Sequence, residues 1–450
     1  MTQLVKIKAE STGKWTRYPE QLPWAAVTAL VSSAACILLR EVFQVLQWSF
    51  TGHFGLLSTA AAQLPLWRRA ITPVLGAAAA SLVIWISCRI WKTGRSRDYV
   101  EAVRFDDGRI PFVPTLWRTL SSSFSVATGA AIGREGSMIQ FAAAITSSLG
   151  GRLRLSALPL SRQVACGVAA AVAVVYQAPV AGVFFAAEIV LGGITLSELP
   201  LLLVSAFVGV FTSRPLLGGG PIFRAPGPIG FDLPHLWLTL LLAVLIGALG
   251  PVYYWLIHSM SYAGKWPLAL LWSGAVVGAL SLRQTEVWGN GDVALLHIMQ
   301  ATPAVRATLI VLALRLCATT FCVGTGTVGG VFTPTVFAGS AIGLLLGHLM
   351  HIPNPMLFAI VGIGCLLAAA THAPLMSVFM AMELTGQWSL LPLLLPCTLI
   401  AWQVSCHLSS RGLYALATTE PTPSSASPAD TVRKIGSNSE VAFAHSETTE

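Results

Sequence analysis

The sequence predicts an all-α polytopic membrane protein, and three observations carry that prediction. Of the 450 residues, 54% are hydrophobic and only 10% charged, against about 25% charged in an ordinary soluble domain. Apolar runs recur from Leu22 to His407, enough for a dozen or more helices at about 20 residues per full span. Glycine and proline interrupt those runs at "GAAIGREG", "YQAPVAG", "GTGTVGGVFTP" and "THAPLMS". Broken helices at membrane depth are tolerated only where protein buries them or a watery cavity meets them, so a polar pathway is expected inside the apolar mass.

Residues 1–21 are polar and lack the charged start, short apolar run and small-residue cleavage site of a secretory signal. Leu22–Leu39 is therefore expected to act as an uncleaved insertion signal, and Lys6, Lys8, Lys14 and Arg17 ahead of it place that end in the cytoplasm. The net charge of +8 lies in short links such as "WKTGRSRDY" and "GRLRLSALPLSRQ", which suits orientation in a bilayer and gives no nucleic-acid surface. The eight cysteines sit singly, with no Cys-x-x-Cys pair and no histidine at ligand spacing, so they read as packing residues, with no metal and no cofactor implied. A transmembrane domain is expected over 22–417, and residues 418–450, rich in Ser, Thr, Pro and Glu, read as a disordered tail.

The chain repeats itself. "APVAGVFFAAEI" (178–189) and "APLMSVFMAMEL" (373–384) agree at six of twelve positions, including the glutamates Glu188 and Glu383. Their offset of 195 residues nearly equals the 197 separating the glycine-rich breaks that begin at Gly133 and Gly330. Two halves of one design are expected, roughly 22–212 and 236–417, and interrupted segments at matching places in two halves point to a transport site between them.

At each glycine-rich break the backbone can turn, and the residues that follow are apolar enough to start a helix: "GREGSMIQF" after Gly133, "GGVFTPTVF" after Gly329. The first N–H groups of such a helix have no partner of their own and carry the positive end of its dipole, which makes an anion site. Pro334 falls in the first turn, where a missing N–H costs little. Two such helix starts can hold one small anion without a lysine that would keep it from leaving. Glu135 is then a carboxylate competing for the same N–H groups, a lid that opens on protonation or displacement. A salt bridge to adjacent Arg134 is the plainer reading, but neighbouring helical residues do not face each other.

These motifs, with "YQAPVAGVFFAAEI" between them and "SSRGLYAL" near the end of the apolar region, resemble the CLC family of chloride channels and proton/chloride exchangers, most closely its bacterial ClcB-type members. The resemblance runs from about Leu22 to Tyr414. It implies a fold of tilted and broken helices in two inverted repeats, a homodimer in a bacterial inner membrane, and chloride as the transported partner. It matches Glu135 to the gating glutamate, the backbone amides near Arg134, Glu135, Gly136, Val331 and Phe332 to the anion-coordinating amides, and Tyr414 to the tyrosine that binds the central anion.

Two departures qualify the match. The family's Gly-Ser-Gly-Ile-Pro segment, whose serine binds the central anion, is replaced by "GRSRDYVEAV"; aligning Glu101 puts the serine position near Arg95, with Ser96 beside it. The proton-accepting glutamate of the family's exchangers, directly after the residue matched by Glu188, is Ile189 here. Isoleucine carries no proton, so channel-like passive conduction is expected, an electrical shunt in acid resistance being the role the resemblance implies. A proton/chloride exchanger is the alternative. Glu188 and Glu383 are expected to bond backbone at helix interfaces, Arg315 to meet a carboxylate or helix-end carbonyls or to reach the interface, and His372 to make a helix-start hydrogen bond. No nucleophile–base pair, His-Glu-x-x-His motif or facing aspartates support an intramembrane enzyme.

Overall fold

The computed structural model describes residues 18–90, 96–153, 158–230 and 236–414. Most of the cytoplasmic segment expected over 1–21, the tail expected over 418–450, and Arg95 lie outside the described residues.

The first half runs through α1 (Tyr18–Thr51), α2 (Leu57–Gln63), α3 (Leu66–Arg89), α4 (Tyr99–Phe105), α5 (Phe112–Ala127), α6 (Glu135–Leu153), α7 (Leu160–Tyr176), α8 (Pro179–Phe184) and α9 (Leu199–Leu217). The second runs through α10 (Leu236–His258), α11 (Ala269–Ser281), α12 (Asp292–Ala301), α13 (Val305–Gly324), α14 (Phe332–Leu349), α15 (Pro355–Thr371), α16 (Pro374–Thr385) and α17 (Leu391–Leu408). Seven of these stretches are long and apolar enough to cross a membrane, and α7, α11, α15 and α16 are shorter apolar helices. At 1.5 Å per residue α1 is about 51 Å long, well beyond the hydrocarbon thickness, so it must lie tilted. It also outruns the expected Leu22–Leu39 span: Arg40 and Glu41, which ended the apolar run in sequence, lie inside the helix.

The duplication is written in the packing. α1, α7 and α9 pack on one another, as do α10, α15 and α17; α6 lies against α7 as α14 does against α15. The turn from α7 into α8 and the turn from α15 into α16 share one backbone. Gln177 (φ 51°) and His372 (φ 59°) close the preceding helices in the left-handed region, and the next residues, Ala178 and Ala373, have φ, ψ of −127°, 79° and −123°, 80°.

Each short helix then borrows its cap from the other half. Glu188 accepts hydrogen bonds from the N–H groups of Leu375 (3.2 Å) and Met376 (2.8 Å). Glu383 accepts from Val180 (3.0 Å) and Ala181 (2.8 Å). Every one of these positions maps onto its counterpart by the same 195 residues. A buried helix start without a cap would leave several N–H groups unmet, and a carboxylate at the positive dipole end satisfies two at once. The expectation for His372 is corrected here: the start of α16 is capped by Glu188, and the His372 Nε2 is buried without a partner. The physical reason is its place in the tight left-handed corner, where it closes α15 before α16 has begun.

Candidate functional site

The helix starts predicted at the two glycine breaks meet in space. Gly133 and Gly330 form an isolated antiparallel bridge, with Gly133 N–H to Gly330 carbonyl at 2.7 Å and the reverse bond at 2.8 Å. A residue pairing with its own repeat counterpart in antiparallel sense is what an inverted duplication places on its axis. The approach is too close for side chains: a Cβ on Gly136 would stand 2.8 Å from the Gly330 Cα. In α6 the Met138 N–H returns to the Arg134 carbonyl at 3.1 Å, and in α14 the Thr335 N–H returns to Val331 at 3.0 Å. The N–H groups ahead of them, in the turns of Arg134, Glu135, Gly136, Val331 and Phe332, have no carbonyl of their own helix to meet.

Glu135 lies on these starts and is only 7% exposed. Of its carboxylate oxygens, one Oε accepts from the Asn290 amide at 2.5 Å, and the other is buried with no partner. Among the described residues it makes no ion pair with Arg134, as expected for neighbours on a helix. Above it opens a cavity of about 360 Å³ with Arg40, Arg134, Asn290, Asp292 and Thr333 on its walls. Leu56, five residues beyond the end of α1, and the residues that follow α9, Gly218 to Phe223, also line it.

An aromatic cluster adjoins the helix starts, and one of its rings, Tyr176, also lines the cavity. The Tyr176 ring lies 5.1 Å from Phe332, Phe332 lies 6.1 Å from Phe185, and Phe185 meets Tyr414 edge-on at 5.7 Å. Tyr414 is thus brought to the same cluster as Phe332, although 82 residues separate them. Tyr99, at the start of α4, packs on Phe185 at 6.5 Å, on the ring that also meets Tyr414. The Tyr176 hydroxyl lies 3.3 Å from Thr333 Oγ1.

Ser96, the candidate beside the unmatched serine position, points away: its hydroxyl lies 3.1 Å from Thr115. The phenol of Tyr99 stands next to Tyr414 instead. The Asp98 carboxylate caps α4 by accepting from the Val100 N–H at 2.8 Å, which fixes where that ring emerges.

Ile189 lies in a single π-helical turn, Phe185–Val190, that continues α8 and also carries Glu188. Its side chain is buried, and its carbonyl and that of Val190 accept from Arg104 at 2.5 and 3.2 Å. Arg315 is fully buried and donates to the carbonyls of Glu286 and Gly289, at 3.0 Å for the latter. It takes neither a carboxylate nor a route to the interface.

Four contributors escaped sequence reasoning: Arg40, Asn290, Tyr99 and Tyr176. Only Asn290 carried a signal, in "WGNGD", a polar turn between apolar segments.

A sequence profile of the voltage gated chloride channel family matches residues 75–406. The chain belongs to the CLC family. A putative chloride channel protein ClcB-like of Ralstonia nicotianae is 40% identical over 417 residues, covering 87% of this chain and 96% of that protein. The voltage-gated ClC-type chloride channel ClcB of Escherichia coli K12 is 34% identical over 412 residues, with the same coverages. Among solved structures, a slow cyanobacterial Cl⁻/H⁺ antiporter superposes with a TM-score of 0.78 at 22% identity, over 89% of this chain and 97% of its own. A CLC-type fluoride/proton antiporter gives 0.69 at 21% identity, over 91% and 99%. These likenesses establish the CLC fold. The CLC protein described here is a multi-pass membrane protein of chloride transport and is not an enzyme.

Proposed function

We propose that this CLC protein is a channel-like, passive chloride conductor gated by Glu135. The observation that carries the reading is Ile189: the position of the exchangers' proton-accepting glutamate holds a buried apolar side chain, and the carbonyl beside it faces the Arg104 guanidinium. A fixed cation there repels a proton and attracts an anion. The anion passes the N–H groups of Arg134, Glu135, Gly136, Val331 and Phe332 and the hydroxyls of Tyr414 and Tyr99. Glu135 occupies the amide site until protonation or chloride displaces it, a reading supported by its place between cavity and helix starts.

A proton/chloride exchanger is the second reading. It is favoured by the Tyr176–Thr333 hydroxyl pair on the wall of the Glu135 cavity, with Tyr414 reached from it through Phe332 and Phe185. A homodimer, a bacterial inner membrane and service as an electrical shunt are proposed with the function on the family relationship.

The test uses purified protein in liposomes under a chloride gradient, with chloride efflux and internal pH recorded together. Chloride flux without uphill proton movement is expected. Uphill proton movement would overturn passive conduction and establish the exchanger.

A further inference from the structure

The Glu135 carboxylate is held by a donor that comes from neither glycine-rich helix start. Asn290 lies in the turn between residues 284 and 292, and its amide nitrogen reaches the Glu135 Oε at 2.5 Å. The orientation of that amide is set by its other end, since the Asn290 carbonyl oxygen accepts the Asp292 N–H at 3.2 Å. With the oxygen so engaged, the NH₂ must face the carboxylate.

The turn itself is braced on every side. Arg315 donates to the Glu286 and Gly289 carbonyls from α13, and its guanidinium also lies 5.3 Å from the Phe337 ring. Ser58 of α2 donates to the Trp288 carbonyl at 2.9 Å, Trp288 is fully buried, and the Gly289 N–H bonds the Gly129 carbonyl at 3.2 Å. A buried arginine without a paired carboxylate is costly to keep, and what it holds still is the turn presenting Asn290.

We propose that Asn290 is the latch of the gate: a positioning residue that holds Glu135 ionised across the two helix starts, with Arg315 keeping the latch in register. The proposal rests on the reading of Glu135 as gate. Protonation of Glu135 removes the charge that makes the Asn290 bond strong, so the latch releases when the gate titrates. The charged and titratable groups around Glu135 are Arg134 on its own helix, Arg40 from α1, Asp292 at the start of α12 and Tyr176 at the end of α7. All of them remain when Asn290 is changed, so a shift in pH response reports the latch alone.

Chloride flux from liposomes is measured against external pH for the wild type, Asn290→Leu, Glu135→Gln and the double variant. Losing the donor destabilises the carboxylate relative to the acid, so Asn290→Leu is expected to move the midpoint of acid activation upward by about one pH unit. Asn290→Ala, which deletes the same donor without the bulk of leucine, is expected to shift the midpoint the same way, which keeps the test alive if the leucine variant misfolds. In the Glu135→Gln background neither change at position 290 should matter, because the latch then has nothing charged to hold. A flat Glu135→Gln profile with an unmoved midpoint in both Asn290 variants would overturn the latch and leave the gate standing. A Glu135→Gln profile identical to wild type would remove the gate reading, and the latch with it.

Discussion

Glu135 is a buried carboxylate with one oxygen hydrogen-bonded to Asn290 and one without a partner, an arrangement that favours a group able to let go. Neutralising it by Glu135→Gln keeps the shape and removes the competition for the helix-start N–H groups, so flux in liposomes is expected to rise at neutral pH and to lose its pH dependence. The sign follows from the titration: a gate shut when ionised, as proposed for Glu135, gives a flux expected to grow as the external pH falls, and the glutamine variant should stay at the acid level throughout. At the other end of the cluster, Tyr414→Phe or Tyr99→Phe deletes a single phenol donor. A hydrogen bond to an ion contributes about 1.5–3 kcal/mol, so chloride binding should weaken roughly ten- to a hundredfold. Isothermal titration in detergent reads this directly, and unchanged affinity for Tyr99→Phe would assign the central site to Tyr414 alone. Glu135 and Tyr414 were legible in the sequence because each stands in a specific motif. Tyr99 was not, since its segment departs from the family pattern and only the cap made by Asp98 aims it at Tyr414.

Among the elements, α8 and α16 depend most on the duplication. Both are short, both begin with proline after a left-handed corner, and each start is capped by a glutamate of the opposite half. Glu188→Ala leaves two buried N–H groups unmet and is expected to cost about 3 kcal/mol; Glu383→Ala should cost the same, read as lowered thermal unfolding midpoints of the detergent-solubilised protein. Equal stability of either variant with wild type would show that water or backbone shifts replace the cap. The bridge between Gly133 and Gly330 is the second dependent element. Gly136→Val places a side chain where the two helix starts touch, and is expected to abolish flux while the protein still inserts. The Glu188–Glu383 correspondence was visible as a repeat. The crossing of the caps was not, because a repeat in sequence says which residues are equivalent and nothing about which half each one reaches.

For the molecule as a whole, every group assigned to the anion pathway lies on one chain, from Arg40 to Tyr414. If two chains associate, each should then conduct independently. A mixed population of wild-type and Glu135→Gln chains is expected to show the sum of the two fluxes, in proportion to their amounts, and a dominant effect of either would point to a shared pathway. The helix α14 carries much of this self-sufficiency: its span is 72% buried, against 39–50% for the other long apolar helices, so it lies inside protein with its start at the site.

The sequence by itself determined that the chain crosses a membrane repeatedly, that it is duplicated, and that two glycine breaks begin helices. Those properties are written in local composition and spacing, where apolar length, backbone freedom and the order of motifs suffice. Tertiary structure alone decided what meets across long separations: Asn290 and Arg40 beside Glu135, Tyr99 beside Tyr414, Glu188 on the start of α16, and Arg315 under the turn that carries Asn290. The reason is physical. A side chain's partner in a folded interior is set by the path of the whole backbone, and an asparagine in a polar turn looks the same in sequence whether it faces solvent or a buried carboxylate.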